Sequence, residues 1–177
     1  MKKIIGAVIA VVMVLGLAGC ATQSDRSKNL AGVKQNMDNG LPKWVGHDFD
    51  YEDASYFLDG YIPSKKGIFS DGKGKLGDER ASEIQATLDA RANLAARVKA
   101  EIDRRRIATK TEAGEMAVER ISEVLVGPQR IDTFKGKDGT VYILMYISEE
   151  NVKETAKQAD PKFADQVDKL FMGEPAE

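Results

Sequence analysis

Cys20 and His47 are the only cysteine and the only histidine in the chain, and together they narrow its chemistry. One cysteine forms no intrachain disulfide, and one histidine excludes the multi-histidine zinc sites. His47 is left as the only possible imidazole base for a Ser-His-Asp arrangement. The stretch His47-Asp48-x-Asp50-x-Glu52-Asp53 gathers oxygen ligands of the kind that calcium takes. An EF-hand loop would need Gly at its sixth position and a bidentate Glu at its twelfth, where this chain has Asp53 and Asp59. Interleaved Phe49, Tyr51 and Tyr56 instead read as a surface segment pinned by its rings. Gly72-Lys73-Gly74-Lys75-Leu76-Gly77 has the G-x-G-x-x-G spacing whose backbone amides can hold a pyrophosphate. A dinucleotide fold would need a second parallel strand after the following helix, and a helix and an antiparallel hairpin come instead. The glycines therefore read as a flexible turn between a strand and a helix. Arg104-Arg105-Arg106 reads as a basic helix end that complements the helix dipole, with contact to anionic envelope polymers or lipid phosphate as the sharper alternative. Glu112, Glu115, Glu119 and Glu123 read as a solvated helix face. No catalytic, metal-binding or cofactor-binding residue is assigned, and no cofactor is expected.

The start of the chain carries a more specific signal. Lys2 and Lys3 precede an apolar stretch from Ile4 to Gly16, and Leu17-Ala18-Gly19-Cys20 closes it. A charged start, a short apolar stretch and small residues before a cut site mark an export signal. About 14 apolar residues fall short of the roughly 20 that a membrane span requires. Leu17, Ala18 and Gly19 before Cys20 resemble the bacterial lipobox, in which the cysteine thiol is diacylated and signal peptidase II then cleaves before it. Small residues at 18 and 19 let the peptidase reach backbone beside a bulky thioether. The expected sites are thus lipidation at Cys20 and peptidase recognition at Leu17, Ala18 and Gly19.

Removing the first 19 of 177 residues leaves 158, enough for one domain and a tether. Loss of Lys2 and Lys3 takes Lys+Arg from 26 to 24 against 28 Asp+Glu, a side-chain charge of about −4. Such a surface has no general attraction for nucleic acid, and membrane attachment has to come from acyl chains on Cys20. With its cysteine modified, the domain has no thiol nucleophile and must be held by an apolar core. Residues 20–40 are polar and small and read as a lipidated flexible tether. Residues 41–177 read as a single periplasmic domain.

Within that domain the patterning predicts both helices and strands. Tyr61-Ile62 and Ile68-Phe69 are short strand-like pieces between Gly and Pro. Asp78 or Ser82 can cap a helix, the latter through a Ser82-x-x-Gln85 box. Ile84, Leu88, Ala92, Ala95, Val98 and Ile102 form its expected apolar stripe. Alanines at 81, 86, 90, 92, 95, 96 and 100 permit close approach by a neighbour. A second helix is predicted over Thr111 to Leu125, stopped by Gly127-Pro128. A hairpin follows, with Arg130 to Phe134 and Thr140 to Ile147 joined through Asp138-Gly139. Val141 to Ile147 is apolar at nearly every position and reads as a central strand. Ser148 and Asp160 read as caps of two terminal helices, the second running from Pro161 to Met172. Its stripe of Phe163, Val167, Leu170 and Phe171 must be covered, by its own domain in preference to a second subunit.

Pro42-x-Trp44-Val45, the glycine-bearing turn, Asp89-Ala90-Arg91-x-x-Leu94-Ala95 and Gly139-Thr140-Val141-Tyr142 follow one another in an order that resembles the LPP-twenty family of small bacterial envelope lipoproteins, which includes lipoproteins of flagellar assembly. The resemblance covers Leu41 to Ile147. It implies an α+β domain in which two long helices pack on a small antiparallel sheet, and the C-terminal amphipathic helix is an addition of this chain. It implies no enzyme activity and brings no catalytic residues. The expected function is that of a non-enzymatic outer-membrane lipoprotein, a structural or interaction module of the envelope, and a flagellar association is one version that the resemblance implies. Activation of a cell-wall synthase and binding of a small ligand are the alternatives. Its expected partners are the membrane, through the lipid on Cys20, and envelope proteins or further copies of itself, with no nucleic acid. Ala21 after the cysteine, where Asp often retains a lipoprotein in the inner membrane, points to the outer membrane.

Overall fold

The computed structural model describes residues 31–47, 49, 58, 65–109, 118–161 and 164–172. The expected export signal, Cys20, the acidic cluster beyond His47, Tyr61-Ile62, residues 111–117 and Phe163 lie outside the described residues. Among the described residues the fold is α+β, with a three-stranded antiparallel sheet of order β1-β3-β2 and five helices. In chain order these are α1 (31–38), β1 (Gly67–Gly74), α2 (Glu79–Thr109), α3 (Val118–Val124), β2 (Gln129–Lys135), β3 (Val141–Ser148), α4 (Glu149–Ala159) and α5 (Ala164–Met172).

β3 is central, as its apolar run predicts, and both of its faces are covered. Val141, Ile143, Met145 and Ile147 join one buried cluster with α2 to α5. Leu144 and Tyr146 join a second cluster on the opposite face. Alternation along a strand sends successive side chains to opposite faces, so a doubly covered strand has no solvent side to mark with polar residues. The β2–β3 hairpin turns where Asp138-Gly139 predicts, with Gly139 at φ +79° and the Gly136 amide donating to the Thr140 carbonyl at 2.8 Å. Asp138 accepts from the amide and the hydroxyl of Thr140, which fixes the turn. β2 carries an irregularity between Arg130 and Asp132, so Ile131 lacks a partner on β3.

The glycine segment differs from expectation. Gly72 and Gly74 lie inside β1, paired with Ile143 and Val141, and the turn comes only after them. A Cβ on Gly72 would collide with the Ala90 backbone, and one on Gly74 with the Ser82 carbonyl. These two glycines let α2 rest directly on the strand, the usual meaning of glycine at a close backbone approach.

That contact also sets the phase of α2. Ser82, Ala86, Ala90, Leu94 and Val98 recur every four residues and are buried, so small residues meet the glycines and larger ones follow beyond them. The expected stripe holds at Ala95, Val98 and Ile102 but fails earlier, where Ile84 and Leu88 are 55% and 63% exposed. Ala92 is exposed as well. Asp78 is the cap, its carboxylate accepting from the Ala81 amide at 2.8 Å. Ser82 sits inside the helix instead, and its hydroxyl accepts from the Leu76 amide.

The second face of the sheet is covered by the N-terminal segment. Val33, Trp44, Phe49 and Leu58 pack there against Phe69, Leu144 and Tyr146. The Trp44 indole N–H donates to Asp132 on β2 at 3.0 Å, and the Gly46 amide donates to Asp71 on β1 at 2.8 Å. Where composition predicts a tether up to residue 40, residues 31–38 are therefore helical and Val33 is part of a core.

Ser148 caps α4 by accepting from the Asn151 amide. Asp160 closes α4, its own amide donating to the Ala156 carbonyl, and α5 begins later than expected, at Ala164. Val167 and Leu170 of α5 are buried with the first cluster, so the terminal helix docks on its own chain. Arg105 stacks on the Phe171 ring, 4.1 Å from its centroid.

Candidate functional site

The glycine motif can be tested as an anion cradle from its backbone amides. The Lys73 amide donates to the Asp89 carboxylate at 2.9 Å, and the Lys75 amide to Gln85 at 2.9 Å. The Leu76 amide is taken by Ser82. Three amides of the segment are thus committed to α2, one of them to a carboxylate where a phosphate would need a donor. The same pattern continues down the strand. Asn93 donates to the Asp71 carbonyl at 2.9 Å, and Arg97 donates to the carbonyls of Phe69 and Phe49.

Gln85, Asp89, Asn93 and Arg97 thus recur every four residues along α2 and meet β1 and its extension at Lys75, Lys73, Asp71 and Phe69. Four helical residues rise about 6 Å and two strand residues about 6.6 Å, so the two rows stay in step. The outer edge of β1 is sealed by side chains, a use of these residues that reasoning from apolar periodicity missed. The readable signal was a polar row at i, i+4 beside the alanine row.

The arginine cluster is also committed to the fold. Glu101 accepts from Arg104 at 2.8 Å and from Arg105 at 2.6 Å, and Arg106 pairs with Asp103 at 3.1 Å. Burial pushes the Glu101 carboxyl up, but the hydrogen bonds and charges of Arg104 and Arg105 outweigh it and leave the group below its ordinary value. Arg105 further reaches Glu149 at 3.5 Å and the Phe171 carbonyl, joining α2 to α4 and α5. Arg106 stands in the last turn of α2, as the helix-end reading expects, and Arg105 is in addition a structural joint. Arg104 remains the most exposed of the three, and it shares its carboxylate with Arg105.

His47 is half-buried, with its ring 5.6 Å from that of Phe49 and against Gly32 of α1. Its surroundings are those of a packing residue on the second face. Among the described residues, no group of three or more His, Cys, Asp or Glu is placed to hold a metal ion. No helix among them is long and apolar enough to cross a membrane. Cys20 and the residues before it are outside the described residues, so the geometry of the expected lipidation site is not part of the picture.

What the described surface does offer is an apolar pair on a rigid helix. Ile84 and Leu88 lie one turn apart, across α2 from Ala86 and Ala90. Beside them Arg130 of β2 pairs with Glu83 and donates to Thr87 at 3.0 Å, and Arg91 donates to the Ser122 carbonyl of α3 at 3.3 Å.

No protein-family model matches the chain, and no curated protein matches it. Among solved structures, a secreted protein of the human pathogen Helicobacter pylori is similar over 55% of this chain at 19% identity, with a TM-score of 0.32. The match takes in 37% of that protein, so the chain spans little more than a third of its length. No feature of that protein is carried over at this level of likeness.

Proposed function

We propose that this chain is a lipoprotein of the bacterial outer membrane, held by acyl chains on Cys20, whose α+β domain faces the periplasm as a non-enzymatic structural or interaction module. The observation that carries this reading is Leu17-Ala18-Gly19-Cys20, with the only cysteine of the chain standing at the position where acylation requires it. The acidic balance supports lipid attachment over electrostatic attachment to a membrane surface. The likeness to LPP-twenty lipoproteins supports an envelope role and makes flagellar assemblies the first partners to examine. An interaction role is further supported by how the candidate chemistry is spent. The glycine-segment amides and the arginine cluster hold the domain together.

The test follows the lipid first. Cells expressing the full chain are fed a fatty-acid analogue, and the wild type is expected to take up label and fractionate with outer-membrane markers. Cys20→Ser is expected to remain uncleaved and unlabelled, and label persisting in that variant would refute the reading. A photo-cross-linking residue at Leu88, introduced in the lipidated chain, then asks which envelope protein is captured.

A further inference from the structure

We draw no further inference here: the strongest candidate, the exposed apolar pair Ile84 and Leu88 on the side of α2 turned away from the sheet, carries nothing because nothing in the structure shows what covers it.

Discussion

On its helical face the sheet is packed by subtraction, and on its other face by bulk. Against α2, β1 presents Gly72 and Gly74, and the helix answers with Ala86 and Ala90, so backbone lies close to backbone. On the opposite face Trp44, Phe49 and Leu58 fill the space over Phe69, Leu144 and Tyr146. Close-packed interiors tolerate neither missing nor added volume, but the two faces should fail in opposite directions. The glycine face should fail on enlargement and the aromatic face on truncation.

The two largest effects are expected from enlarging the first face and from truncating the second. Gly72→Val places a side chain against the Ala90 backbone, which cannot rotate away as a flexible side chain could. Overpacking typically costs about 1–3 kcal/mol, and a backbone obstacle belongs at or above the top of that range. Urea denaturation of the protein would show it, and a midpoint equal to wild type would mean that α2 does not rest on the strand. Trp44→Ala probes the other face, with an expected loss of about 3–5 kcal/mol. Trp44→Phe keeps most of the bulk but loses the bond to Asp132, so it should cost about 1–2 kcal/mol. Equal losses in the two Trp44 variants would assign the stability to the hydrogen bond and not to volume.

Leu170→Ala should cost about 2–5 kcal/mol if α5 is part of the helical-face core. Thermal melts at two protein concentrations separate this from an assembly role, because a monomeric core predicts a shift that does not depend on concentration. Asp89→Ala leaves the Lys73 amide without its α2 partner at an exposed site, and about 1 kcal/mol is expected. Hydrogen exchange at that amide is the direct readout, and unchanged protection would argue against the sealed edge.

The smallest effect concerns the hairpin. Asp138 is exposed, and hydrogen bonds from Lys75 and Thr140 hold its carboxyl well below the ordinary carboxylate range. A folded-state pKa below the unfolded value near 3.9 contributes stability above that value, and the contribution fades as pH falls through the depressed pKa. Asp138→Asn should therefore destabilise slightly at pH 7 and progressively less in acid. A difference between the proteins that grows below pH 4 would reverse the assignment.

Much of the fold could be read from residue pattern. The hairpin was legible because alternation, Asp138-Gly139 and an apolar return strand all agree on one structure. The phase of α2 was misread for a definite reason. Glycines carry no side chain with which to report a strand, so Gly72 to Gly77 looked like one turn, and the helix was oriented by its largest residues instead of its smallest. Periodicity by size therefore turns Ile84 and Leu88 inward, whereas both are exposed in the fold. Residues 31–38 were missed because a single docked Val33 leaves no period to detect. For the candidate site, the Leu17-Ala18-Gly19-Cys20 pattern on which the proposed acylation rests is local and readable without a fold. The polar row on α2 was visible only once the strand beside it was known.

Trp44 is also the only tryptophan in the chain, fully buried and bonded to Asp132. Its emission is an intrinsic optical probe of the N-terminal segment, while far-ultraviolet dichroism is dominated by the long helix on the other side of the sheet. Recording both signals through one denaturant titration asks whether the two faces melt as a unit. Coincident curves would mean a single cooperative body, and an earlier red shift of the indole would mean that the layer nearest the chain's start detaches first.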